Sequence, residues 1–187
     1  MVTLQDSDII SAFQEDTEKG FRLLRTKYKR AVYWHIRRLV VSHDDAQDAA
    51  QETFIRVFRS FGMFRGSKGQ PKGDRSLAAW IYRIATNEAL RILQRRHGKQ
   101  LSLEEVPTEA NLLKADNYVD YNDLEAVKLQ KAILALPTKQ QLAFNLRYYD
   151  NLGYDEIARI TDSTPANVKA NYHIAKERIV KYMTTND

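Results

Sequence analysis

The sequence predicts an all-α protein: two helical domains joined by an acidic flexible linker, the C-terminal one containing a helix-turn-helix. Three observations carry that prediction. Apolar residues recur at helical spacing through nearly every segment, and no long run alternates apolar with polar residues as a half-buried strand would. Charge is also segregated: residues 1–97 carry a net +7, residues 98–125 a net −5 and residues 126–187 a net +3, within a total of +5. Two basic blocks around an acidic strip suggest two modules that meet a polyanion, with a connector that the polyanion repels. The boundaries read as 1–97, 98–124 and 125–187.

The first helix is predicted to begin near Ser7, with Ile9, Ile10 and Phe13 on one face. A longer one runs through FRLLRTKYKRAVYWHIRRLV, and a third through HDDAQDAAQETFIRVFRSF. For the third, Asp44 or Asp45 serves as N-cap and first-turn acid, and Ala46, Ala49, Ala50, Phe54, Val57, Phe58 and Phe61 hold the apolar period. The stretch RGSKGQPKGDRS has three glycines and a proline and reads as a loop. Next comes WIYRIATNEALRILQRR, in which Ile81, Ile84, Ala85, Ala89 and Ile92 share one side of a helix. Trp80, Arg83, Asn87, Arg91 and Gln94 share another. That second face lacks the Lys and Glu pairs of an ordinary solvated helix and offers groups that stack on bases or bind phosphate. A lone Trp would by itself be read as folding under into the core.

From HGKQLSLEEVPTEANLLKADNYVDYND the periodicity fades and acids gather, so this is the expected linker. The second module starts near Leu124. Within NLGYDEIARITDSTPANVKANYHIAKERI, the residues Ile157, Ala158 and Ile160 supply one apolar face. Thr164 then Pro165 make an N-cap and first helical position. The helix they begin has a core stripe of Val168, Tyr172, Ala175 and Ile179. Ala166, Lys169, Ala170 and His173 point outward, flanked by Asn167, Asn171 and Lys176. A small, polar and basic outward face can enter a major groove; a plain helical hairpin is the alternative.

Composition excludes several classes. No apolar run approaches the roughly 20 residues of a membrane span, so no membrane span is expected. There is no cysteine and no signal-peptide pattern opens the chain, which points to a cytoplasmic protein. The four histidines have no metal-ligand spacing, and the acids at 44, 45, 48 and 52 run along one helix without a second cluster. No catalytic residues, no metal and no cofactor are therefore expected. An autonomous helix-turn-helix regulator remains as the competing reading, to be expected as a symmetric dimer.

Several motifs in order resemble bacterial RNA polymerase sigma factors of the extracytoplasmic-function type. They are DAQDAAQETFIRVFRSF, FRG, WIYRIATNEA, LPTKQQLAFNLRYYDNLGYDEIARI and VKANYHIAKERI, spanning about residues 7 to 182. The resemblance implies a non-catalytic specificity subunit whose partners are core RNA polymerase (β′ clamp helices and β flap) and promoter DNA, with an anti-sigma factor as a further candidate. It implies core polymerase binding through Asp45, Asp48, Gln51, Glu52 and Ile55. It also implies minus-ten recognition and melting through Phe64, Arg65, Trp80, Arg83, Asn87 and Arg91. Minus-thirty-five recognition would fall to Thr164, Ala166, Asn167, Lys169, Ala170, Asn171, His173 and Lys176. Departures from the family pattern are the long loop from Gly66 to Ser76 with Lys68, Lys72 and Arg75, Leu77 and Ala79 in place of an aromatic and a threonine, and Asp162 where glycine is usual. Asn171 and Ile174 replace frequent arginines, so a distinct minus-thirty-five preference is expected.

Overall fold

The computed structural model describes residues 3–64, 76–98 and 118–185, and among them it holds eight α-helices and no strand. In chain order these are α1 (Asp6–Glu15), α2 (Thr17–Val40), α3 (His43–Phe64), α4 (Leu77–His97), α5 (Leu124–Leu134), α6 (Thr138–Tyr148), α7 (Tyr154–Thr161) and α8 (Pro165–Thr185). The long loop, Arg65 included, and most of the acidic linker lie outside the described residues.

Helices α1 to α4 surround one core. Ile9, Leu24, Val32, Ile36, Leu39, Val57, Ile81, Ala85 and Leu93 are all nearly inaccessible within it. Phe13 of α1 stacks on Phe61 of α3 with ring centroids 3.6 Å apart. That layer depends on Gly20: a Cβ there would lie 2.4 Å from Phe13 Cγ and 2.6 Å from the Phe13 backbone nitrogen. Asp16 separates α1 from α2 and caps the latter, accepting from the Glu18 amide at 2.9 Å.

Two sequence expectations for α3 need correction. Its cap is Ser42, whose Oγ accepts from the Asp45 amide at 3.3 Å, so Asp44 and Asp45 are first-turn acids only. Phe58 is 44 % exposed, not core; its ring meets Phe21 edge-on at the surface. The other apolar positions expected on α3 and α4 are buried or partly buried. Helix α4 is capped by Ser76, whose Oγ accepts from the Ala79 amide, and is followed, after Arg95, Arg96 and His97, by Gly98 in the left-handed region (φ 65°).

Helix α5, the first after the acidic segment, begins at Leu124 with Asp123 as its cap. Ala132, Ile133, Leu136, Phe144, Ala175 and Ile179 form one of its clusters. The α7–α8 turn is a helix-turn-helix corner: Asp162 sits at φ 54°, ψ 48°, Ser163 N bonds to Ala158 O at 2.9 Å, and Thr164 Oγ1 accepts from the Asn167 amide at 3.2 Å. An Asp tolerates the left-handed conformation better than most residues because its short side chain can bond locally.

The two modules pack against each other, which the sequence did not reveal. Ala79 and Tyr82 of α4 join Ala143 and Leu146 of α6, Ile157, Ala158 and Ile160 of α7, and Val168 of α8 in a shared cluster. The last stretch of the expected linker is also packed, since Tyr118 lies against Val41 and Leu134, with the Arg37 guanidinium 5.3 Å from its ring centroid.

Candidate nucleic-acid and polymerase interfaces

Helix α4 divides into three faces. One faces the first core through Ile81, Ala85, Ala89 and Ile92; one, formed by Ala79 and Tyr82, faces the second module. The third carries Arg83, Asn87 and Arg91, all exposed. Trp80 lies at its edge, partly buried, its ring 4.9 Å from that of Phe64 and 6.1 Å from that of Phe61. Trp80 is thus partly packed on the core and partly at the surface. Phe64 itself is only 8 % exposed, so the DNA contact expected of it has no free ring face; it backs Trp80 instead. Arg91 donates to Glu88 Oε1 at 2.9 Å, and Arg56 approaches the same oxygen at 2.7 Å. Arg83 and Asn87 are therefore the less encumbered polar groups of this face.

On α3, Asp48, Gln51 and Ile55 are exposed on one side, and Asp45 and Glu52 are half-buried beside them. Asp45 is held by Arg96 of α4, and Glu52 pairs with Arg56 one turn on at 3.0 Å. Ile55 and Phe58, 38 % and 44 % exposed, continue the strip as apolar surface. Phe58 fits the apolar period of α3, and only the tertiary packing shows that the core ends at Phe54 and Val57 on that turn. Between α3 and α4 lies an open groove of about 830 Å³ lined by Glu52, Arg56, Glu88, Arg91, Gln94, Arg95 and Gly98. It joins the acidic side of α3 to the basic side of α4.

On α8, Thr164, Ala166, Asn167, Lys169, Ala170, His173 and Lys176 are exposed and Asn171 is half-buried, while Val168, Ala175 and Ile179 are buried. Of the expected core stripe, Val168, Ala175 and Ile179 are buried and Tyr172 is half-buried. The Lys176 ammonium lies 5.4 Å from the Tyr172 ring centroid, a cation–π contact. Small Ala166 and Ala170 leave the backbone of the helix open to close approach.

Sequence reasoning missed the groups that join the modules. Asp150, just after α6, accepts from Arg38 of α2 through Oδ2 and from Tyr82 of α4 through Oδ1, both at 2.9 Å. The Arg38 and Asp150 side chains are only 12 % and 7 % exposed. Burial pushes the Asp150 carboxyl above its ordinary value, while the Arg38 charge and both hydrogen bonds pull it back. With both oxygens accepting, the geometry serves the carboxylate. Ser76 Oγ donates to Glu156 Oε1 at 3.0 Å, and the other oxygen of Glu156 accepts from the Gly153 amide at 3.2 Å. The caps of α4 and α7 are thereby tied together. The one sequence signal for this docking was the pair Ala79 and Tyr82, apolar positions outside the α4 core stripe.

Among the described residues no group of three or more His, Asp or Glu could hold a metal, and no helix is long and apolar enough to cross a membrane. Two family models match the chain: sigma-70 region 2 over residues 24–99 and sigma-70 region 4 over residues 126–179. The RNA polymerase sigma-H factor of Pseudomonas aeruginosa is 30 % identical over 186 residues, covering 95 % of this chain and 93 % of that protein. The ECF RNA polymerase sigma-E factor of Escherichia coli (strain K12) is 29 % identical over 190 residues, covering 94 % and 93 %. Among solved structures, CnrH in complex with the cytosolic domain of CnrY is similar with a TM-score of 0.69 at 18 % identity, covering 97 % of this chain and 100 % of that one. The sigma factor RpoE of Bartonella quintana, solved with the anti-sigma factor NepR, is similar with a TM-score of 0.64 at 18 % identity, covering 90 % and 99 %. At such identity these two speak for the fold alone.

Proposed function

The chain belongs to the sigma-70 family, within its extracytoplasmic-function group of RNA polymerase sigma factors, and from that premise we propose how its surfaces divide the work of promoter-directed initiation. The exposed side of α3, with Asp48, Gln51 and Ile55 as its accessible groups and Asp45 and Glu52 beside them, binds the β′ clamp helices of core polymerase. The Arg83, Asn87 and Arg91 face of α4, with Trp80 at its edge, holds the unpaired minus-ten strand. Helix α8 enters the major groove of the minus-thirty-five element through Lys169 and His173, with Ala166 and Ala170 allowing close approach. A β-flap contact for the second module completes the partner set, and the protein acts where the polymerase is, in the cytoplasm. It performs no catalysis of its own.

The observation that carries this reading is the division of α4: a face without carboxylate at its surface, edged by an indole propped on two phenylalanines. Energetics set the protein's share of melting. Each DNA step costs about 1.4 kcal/mol to unstack, and one aromatic stacking on a base returns about 1 to 3 kcal/mol. A single indole and a few polar groups can hold one or two extruded bases, so the bubble as a whole must be stabilised by polymerase. An anti-sigma partner is part of the proposal as well, because the two solved neighbours are each recorded with a protein partner, CnrY for CnrH and NepR for RpoE.

The test is in vitro transcription with core bacterial polymerase on fragmented genomic DNA, mapping starts with and without this protein. Specific starts that require the chain support the reading, and their shared upstream sequence gives the promoter. Tight duplex binding by the chain alone, without polymerase-dependent starts, would favour an autonomous regulator.

A further inference from the structure

We propose that Ile174 on α8 is a specificity-determining residue, one that selects thymine in the minus-thirty-five element by contact with its 5-methyl group. The proposal deepens the reading of α8 given above and rests on it. Ile174 is 40 % exposed, although it lies in the middle of the helix that presents Lys169 and His173. Its neighbours are packed: Tyr172 lies against two hydrophobic clusters and Ala175 is fully buried, while Ile174 between them meets solvent. Arginine is frequent here in the family pattern, so the apolar group belongs to this chain and not to the fold.

Its place on the helix limits what the side chain can meet. Four residues advance an α-helix by about 40° past one full turn and by about 6 Å along its axis. Ile174 therefore stands one turn beyond Ala170 and two beyond Ala166, at the edge of the outward face. Lys169 and Lys176 lie roughly 140° to 160° round the axis from it, on the opposite flank. Arg178, the cation on its own flank, donates to Gln140 at 2.9 Å, so phosphate is better served by the lysine side. An apolar side chain carried into the major groove gains where it meets apolar surface. The groove floor offers one such group, the 5-methyl of thymine; the other bases present donors and acceptors there. Isoleucine has neither, so the methyl is what it can distinguish. From Ala166 to Ile174 the helix covers about 12 Å, three to four base steps at 3.4 Å each. The exposed Glu177 follows on the same face, and phosphate repels it, so the groove-reading part of α8 ends near Ile174.

The probe is the minus-thirty-five element recovered from mapped transcription starts, in duplex promoters where each thymine in turn is replaced by deoxyuridine. Deoxyuridine pairs as thymine does and lacks the methyl. Holoenzyme formed from the full chain and core polymerase is titrated against each promoter. With the chain unaltered, one replacement should weaken binding about fourfold, the equivalent of one buried methyl group. Ile174→Ala should weaken binding to the all-thymine promoter by at least as much, and should bind thymine and deoxyuridine equally at that pair. Alanine favours the helix and the position is exposed, so the variant keeps its fold, which circular dichroism verifies. Val180→Ala, at a 61 % exposed position beyond Glu177 on the same helix, should leave the methyl dependence unchanged. An element without thymine, or indifference to deoxyuridine at every position, overturns the proposal. So does a methyl penalty that persists in Ile174→Ala, or one that Val180→Ala abolishes as well. Absent starts would remove the reading of α8 itself, whereas starts without methyl dependence remove this proposal alone.

Discussion

The indole of Trp80 leans on the ring of Phe64 with centroids 4.9 Å apart, which packs part of the tryptophan against the core and leaves the rest at the surface, three residues before the exposed Arg83. A base stacked there would meet a ring that is already immobilised. Because Arg91 is committed to Glu88 and Arg83 is not, the two arginines should differ. Arg83→Ala should reduce the logarithmic salt slope for holoenzyme binding to single-stranded minus-ten DNA by about 0.7, and Arg91→Ala by less. Fluorescence titration at several salt concentrations checks this; equal slopes for the two variants would remove the distinction.

Polymerase binding should draw on the apolar end of the α3 strip as well as its amides and acids. Ile55 and Phe58 are the exposed hydrophobic residues there. Phe58→Ala should weaken association with core polymerase by about 1 to 2 kcal/mol, five- to thirty-fold, as truncation of an aromatic interface residue does. Its effect on folding should be small, since the ring is already half in water. Competition against a labelled sigma factor would measure it, and an unchanged affinity would confine the interface to the acidic part of the strip.

On α8, Lys169 and His173 should set promoter choice and affinity differently from residues on the buried stripe. Lys169→Ala should lower the salt slope for duplex minus-thirty-five binding by about 0.9 if the ammonium neutralises one phosphate. His173→Ala should change the ranking of minus-thirty-five variants in a selection experiment. Unaltered promoter choice in both variants would place the groove-facing surface elsewhere on the second module.

Gly20→Ala should destabilise the first module. The added methyl would overlap both the Phe13 ring and its backbone, so the Phe13–Phe61 stack has to shift. Overpacking of this kind costs about 1 to 3 kcal/mol, more than the gain from replacing a helical glycine with alanine. Urea denaturation should show a lower midpoint, and a higher one would mean that α1 yields freely.

His35 should make stability fall on mild acidification. It is fully buried, and desolvation, reinforced by Arg38, lowers its value from 6.5 to about 3. Thr86 donates its own proton to the Tyr82 carbonyl, so His35 Nε2 carries the hydrogen that Thr86 accepts at 2.8 Å, and Nδ1 is bare. In the unfolded chain the ring takes up a proton near pH 6.5, which the folded chain refuses until about pH 3. Stability is therefore complete above that window and is lost as pH falls through it, by up to about 1.4 kcal/mol per unit. Denaturation at pH 7.5, 6 and 5 should show the slope, and His35→Leu should flatten it; the same slope in both would assign the acid sensitivity to other groups.

Helix positions, the α8 stripe and the start of the second module were legible in the sequence because each depends on local period and capping. Thr164 and Pro165 fix the start of α8 wherever the helix is placed, and Val168, Ala175 and Ile179 can be buried by only one of its faces. Motif order likewise sufficed to identify the family. Tertiary structure decided what period cannot: Phe58 fits the α3 pattern yet lies beyond the edge of the core, and Phe64 is enclosed by the Trp80 it supports. The docking of the modules was decided there too. Arg38 and Tyr82 lie on different helices and Asp150 just beyond a third, and a polar residue gives no sign in sequence of which distant charge will neutralise it once both have left water.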